Sequence, residues 1–128
     1  TKQVLDKTWQ DKMGIATTDT ANAMTDEEIL GFSAQVSMDA LLSYRATVGA
    51  RSQEILRQLT SVDLARKFTP AQVGRILDEG CVLTHPDSIW LQDFWGKKDV
   101  RGILTMPLTR HQAGNLNKCL QLRSKLEK

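Results

Sequence analysis

The stretch MPLTRHQAGNLNKCLQLRSKL, Met106 to Leu126, governs how the rest of the chain is read. It has the pattern of a long helix. Pro107 stands where a first-turn proline is tolerated, because its missing N–H would be one of the donors that a helix start leaves unpaired anyway. At roughly 100° per residue, Leu108, Cys119, Leu122 and Leu126 gather on one side, and Leu116 and Leu120 widen the stripe. Arg110, Asn117, Lys118, Gln121, Ser124 and Lys125 fall opposite, on a face expected in water. Two polar residues break the pattern: Asn115 near the centre of the apolar stripe and His111 at its edge, one turn earlier. A buried polar group costs free energy unless it is paired, so these two mark a candidate site.

Upstream, the same signals recur. Lys2 to Met13 carries Val4, Leu5, Trp9 and Met13 at helical spacing, with Gly14 as a stop, and reads as the end of a longer element. Gly14 to Met24 has no periodicity and reads as a loop. Thr25 and Glu28 form a capping box that opens a short helix through about Val36. Ser37 caps the best-defined helix, which runs to about Leu59 with an inward stripe of Leu41, Tyr44, Val48, Arg51 and Ile55. Tyr44 and Arg51 are its polar members. The ordinary account of them is a hydroxyl that finds a partner and a guanidinium that snorkels or pairs with an acid. Gly49 and Ser52 are small enough to let another helix approach.

Ser61 to Lys67 reads as a brief turn or connector. Thr69-Pro70 is an N-cap followed by a first-turn proline, and the helix it starts carries Val73, Ile76 and Leu77 and stops at Gly80. Thr84-His85-Pro86 is biased to an extended form by its proline. Asp87 or Ser88 then caps a helix from Ile89 to Trp95, ended by Gly96, and Asp99 to Thr105 reads as a helical turn leading into Met106. No segment sustains a period of two, so no strand is expected. The layer architecture left is helix upon helix: an all-α four-helix bundle, residues 1–128 in a single domain, with the first helix truncated.

Composition agrees with one soluble-type domain of 128 residues, 41% hydrophobic and 25% charged. Seventeen Lys+Arg against fifteen Asp+Glu leave a formal charge of +2, too little for a nucleic-acid footprint. The cationic residues do concentrate in the C-terminal third, a pattern that is most often the wet side of helices. No apolar run approaches the roughly 20 residues of a membrane span and the start has no signal-peptide pattern, so a cytoplasmic protein with no membrane partner is expected. Cys81 and Cys119 have no metal spacing and read as reduced, partly buried thiols; the sequence leaves a disulfide between them open. There is no nucleophile elbow and no glycine-rich phosphate loop.

Several stretches resemble a known family. Leu42 to Leu59, LSYRATVGARSQEILRQL, followed by Asp63-Leu64, is similar to the second long helix of the DinB-like (damage-inducible) superfamily. Trp90 to Lys97, WLQDFWGK, and Met106 to Asn117, MPLTRHQAGNLN, look like its closing segment. The resemblance implies a four-helix bundle, often dimeric, whose metal-bearing members hold a divalent ion through three histidines, one on an early helix and two on the last helix four residues apart. Some relatives are transferases or isomerases acting with a low-molecular-weight thiol.

The ligand set departs from that pattern. His111 matches the first histidine of the late pair, its partner position is Asn115, and residues 2–13 contain no histidine. Residues four apart on a helix stand about 6 Å apart along its axis and share a face, so two histidines there could chelate one ion. A neutral carboxamide is a weak partner for zinc or nickel. Two readings result. In one, the bundle is non-catalytic with a vestigial metal site, dimerises, and holds a small ligand in an inter-helix cavity lined by His111, Asn115, Tyr44 and Arg51. In the other, it is a divalent-metal-dependent enzyme of the thiol-transferase, isomerase or hydrolase type, using His111 plus ligands not evident in the sequence. The expected site residues are His111 for a metal, and Tyr44, Arg51 and Asn115 for a bound small molecule. Homodimerisation is expected from the apolar Trp90, Phe94 and Trp95 group.

Overall fold

Thr25, Ser37 and Thr69 each accept a backbone N–H from three residues on, at 3.3–3.4 Å, and the helices start where these caps stand. In the computed structural model, which describes residues 4–127, the elements are α1 (Lys7–Met13), α2 (Asp26–Gln35), α3 (Met38–Gln58), α4 (Ser61–Leu64), α5 (Pro70–Asp78), α6 (Pro86–Gly96), α7 (Val100–Thr105), a π-helical segment (Met106–Arg110) and α8 (His111–Leu126). There is no strand among the described residues. The nearest feature is an isolated antiparallel bridge between Lys67 and Asp99, beside which the Val100 N–H donates to the Arg66 carbonyl at 3.1 Å. The chain is all-α. No helix of the described residues is long and apolar enough to cross a membrane.

Three boundaries differ from expectation. α1 begins at Lys7, because Asp6 caps it by accepting the Trp9 N–H at 3.1 Å; Val4 and Leu5 precede the helix, and Lys2 lies outside the described residues. Gly14 does end it, at φ +73°, with the Ile15 N–H bonded back to the Gln10 carbonyl at 3.0 Å. α6 begins earlier than Ile89: His85 is its N-cap, with Nδ1 accepting the Asp87 N–H at 3.2 Å and Pro86 in the first turn. The third difference is Pro107. It opens no separate helix, because the helical run is continuous from Val100 to Leu126. A mid-helix proline has no N–H to offer the carbonyl four residues back. Here the helix widens, and the His111 N–H reaches the Met106 carbonyl five residues back.

Packing is pairwise. α1 lies on α3, α5 on α6, and α4 on α7. Trp9 and Tyr44 meet edge to face with ring centroids 5.4 Å apart. Gly96 lets α6 approach α5 closely, since a Cβ there would stand 3.3 Å from Val73 Cγ1. The buried core is Met13, Val82, Leu91 and Val100, together with Ser88, whose hydroxyl accepts the Leu83 N–H at 3.2 Å. The predicted inner stripe of α3 is half-buried at Leu41, Tyr44, Val48 and Arg51, while Ile55 is exposed.

The expected inward stripe of the last helix is overturned. Every residue from Leu108 to Glu127 is exposed, with Leu116, Leu120 and Leu122 at 55–60% and Leu126 at 88%. α8 meets α3 through its first turn, where Arg45 Nη2 donates to Gln112 Oε1 at 2.9 Å. Beyond that turn its leucines stand in water.

Two outcomes follow for stability. Leu91→Ala should lower the unfolding free energy by about 2–5 kcal/mol, read from urea titration of the circular dichroism at 222 nm. Three carboxyls sit below their ordinary range because they accept N–H or O–H donors at helix starts: Glu28 from the Thr25 N–H, Asp63 from the Thr60 hydroxyl, and Asp99 from the Gly102 N–H. A depressed folded pKa gives stability that is present above the unfolded value and lost as pH falls through the folded one. Thermal stability should therefore fall on acidification below about pH 4. Asp99→Asn, which keeps a capping oxygen without a titrating group, should flatten part of that fall.

Candidate functional site

The widened turn at Met106–Arg110 carries His111 to the edge of a cavity of about 580 Å³. Its walls are apolar and come from four elements and a connector: Val73 and Ile76 from α5, Trp95 from α6, Ile103 from α7, Met106 from the π segment, and Phe68 just before α5. Three polar side chains complete it: Gln72, Arg75 and His111. Gln72 belongs to the capping box of α5, its Oε1 accepting the Thr69 N–H at 3.0 Å. Arg75 donates Nε and Nη2 to Glu79 Oε1, the first at 2.7 Å, so its charge is already matched. Size, apolar walls and a few polar groups are the attributes of small-molecule sites, which span about 300–1,000 Å³.

Of the four residues expected to share one site, His111 alone reaches this cavity. Tyr44 lines a second one, about 600 Å³, between α3 and the start of the last helix, together with Leu41, Arg45, Val48, Leu108 and Gln112. Burial pushes its phenol above the ordinary range. Arg51 lines neither cavity and pairs on its own helix with Glu54, Nη1 to Oε2 2.7 Å. Asn115 is exposed on α8 and lines neither cavity. The expectation of one inter-helix space holding all four is corrected: the start of α8 reaches α3 through Gln112, and Asn115 stands further along, on a face left exposed among the described residues.

Among the described residues, no group of three or more His, Cys, Asp or Glu side chains is placed to hold a metal ion. The cysteines add none. Cys119, expected to be partly buried, is exposed, and Cys81 is part-buried. Burial and the Glu79 carboxylate both push the Cys81 thiol up, so it stays protonated at neutral pH and is a weak nucleophile.

The aromatic group expected to form one patch is divided. Trp95 faces the cavity, whereas Trp90 and Phe94 pack edge to face at 5.9 Å elsewhere on α6. Trp90 donates Nε1–H to the Asp87 carbonyl at 3.0 Å, and the Lys98 ammonium lies 4.5 Å over the Phe94 ring.

The cavity walls themselves were missed as a site. In the sequence, Val73 and Ile76 are legible only as apolar residues of one helix. A finer signal was present: Phe68 and Val73 flank the Thr69 cap at the spacing of a hydrophobic staple, which fixes the entry of α5 and places both on the same wall. No family model, curated protein or solved structure matches the chain.

The two thiols should separate by reactivity. With a disulfide-exchange reagent at about pH 8, Cys119 should react at least about tenfold faster than Cys81. Cys119→Ser should remove the fast phase and leave the slow one. Equal rates in the folded protein would contradict this placement.

Proposed function

We propose that the chain is a helical-bundle protein of the DinB-like type with a vestigial metal site, which works without catalysis by holding a small apolar molecule and assembling as a homodimer. The observation that carries this reading is the cavity between α5, α6 and α7, with His111 and Gln72 as hydrogen-bonding groups at otherwise apolar walls. The resemblance of Leu42–Leu59 and Met106–Asn117 to that superfamily supports the four-helix-bundle assignment. Arg45 and Gln112 supply one hydrogen bond between its two longest helices. Asn115 stands where the resemblance implies a second ligating histidine, and a neutral carboxamide is a weak ligand for zinc or nickel, which supports a vestigial site. Thiols at Cys81 and Cys119 fit a reducing compartment such as the cytoplasm. Apolar side chains left in water on α2, α3 and α8 support self-association.

A neutral fluorescent naphthylamine is a suitable probe of the cavity. It should bind with micromolar affinity and transfer energy from Trp95. Ile76→Trp, which fills the space, should weaken binding by at least about tenfold, or roughly 1.4 kcal/mol. Equal binding to both proteins would remove the cavity from the reading.

Freshly purified protein should contain substoichiometric zinc and nickel. One equivalent of either, abolished by His111→Ala, would favour the metal-dependent enzyme instead. A monomeric mass by light scattering at tens of micromolar would count against the dimer.

A further inference from the structure

α3 is half-buried along Leu41, Tyr44, Val48 and Arg51, and its opposite arc is open: Leu42 is 59% exposed, Leu56 is 41% exposed, and Asp39, Gly49 and Arg57 are exposed with them. The groove of about 600 Å³ beside α3 runs along the edge of this arc, with Leu108 on its far wall. The order of residues along the arc is nearly palindromic. Gly49 stands midway between Leu42 and Leu56, seven residues from each, and at about 100° per residue the three fall within about 20° of one line. A Cβ at Gly49 would meet nothing within 4 Å. Asp39 and Arg57 lie ten residues before Gly49 and eight after it. Eighteen residues separate them, five whole turns, so they share one flank of the arc. Between them that flank holds Ala46, Ala50 and Gln53 and no third charge. Among the described residues neither is ion-paired. Arg57 donates Nη2 to the neutral Gln53 Oε1 at 3.4 Å, whereas Arg51, on the far side of the helix, is matched by Glu54.

We propose that α3 of one copy lies antiparallel on α3 of a second copy, about a twofold axis at Gly49. This rests on the homodimer of the preceding reading and names its surface. A twofold contact sets residue i against residue j and j against i. With Gly49 on the axis, Leu42 of each copy meets Leu56 of the other, and the missing side chain lies where the two helices come closest. In an antiparallel pair of this symmetry the same flank of each helix lies on the same side of the seam. Asp39 of one copy then stands within about 3 Å, along the seam, of Arg57 of the other, and this happens twice. The two Arg57 stay about 24 Å apart, beyond the range of repulsion at physiological salt. A parallel pairing would set like charges level and leave opposite ones about 27 Å apart, so charge selects the antiparallel one. Arg45, at the edge of the arc, is held by Gln112 of its own chain.

The test reads dimerisation by sedimentation and light scattering in three variants, with circular dichroism confirming that each is folded. Asp39→Arg alone and Arg57→Asp alone each set like charges together twice, and each should weaken the dimer by at least about tenfold. Combined in one chain, the two reversals match the charges again, and dimerisation should return. Gly49→Phe places a ring on the axis. No atom of its own chain stands in the way of a Cβ there, and glycine is a poor helix former, so the helix should hold while the dimer is lost.

A Gly49→Phe protein that dimerises as tightly as the unaltered chain would overturn this surface while leaving the dimer standing, and would send the contact to another face. A double reversal as weak as the single ones would overturn it also, since each charge would then be acting within its own helix. An unaltered chain that stays monomeric would sink both readings.

Discussion

Proline has no N–H to give, and at position 107 that lack falls inside a helix running from Val100 to Leu126. The helix survives by widening for one turn, with His111 bonded to the carbonyl of Met106 rather than to that of Pro107. Much of what is distinctive here depends on that adjustment. It joins the buried end of the run, where Val100 is in the core and Ile103 lines a cavity, to an outer end that is wholly in water. It also puts His111 on the cavity that Trp95 and Ile76 line, and not on the one that Tyr44 lines. π segments of this kind are often found at functional sites, and this one meets a cavity large enough for a small molecule.

What could be read in advance was local. Thr25 with Glu28, Ser37, and Thr69 with Pro70 act through partners three residues away, so a few letters of sequence determine them. Gly14 and Gly80 sit at positive φ where helices end, a backbone that glycine alone adopts freely. The face of α3 was legible as far as Arg51, because Tyr44 repeats the helical period and meets Trp9. His85 was harder. A histidine is an unusual cap, and the proline that follows it was the better guide to the start of α6.

What could not be read was the surroundings of each face. The apolar stripe of α8 is real as a pattern, yet periodicity records which residues share a side and is silent on whether anything covers it. The same limit applies to the site. Tyr44, Arg51, His111 and Asn115 were grouped because each is polar on an apolar face, but they belong to two helices that touch at Gln112, so the grouping fails in space. Arg51 found its acid one turn along, at Glu54, as a guanidinium commonly does. With few side chains fully buried, the described chain has less core than its hydrophobic content could fill, and surface contacts have correspondingly more to supply.

The widened turn has a consequence for how this chain can change. One residue of helix amounts to a rotation of about 100°, so inserting a further residue between Met106 and Arg110, where the widened turn already holds one more than an α-turn, would swing the whole of α8 by more than a quarter turn. Val100 and Ile103 would stay where they are. His111, Gln112 and the four leucines beyond would point elsewhere together, although none of them had been altered. Length in those five positions is therefore a directional variable, and tolerance of insertions there should be far lower than in the loop between Gly14 and Met24.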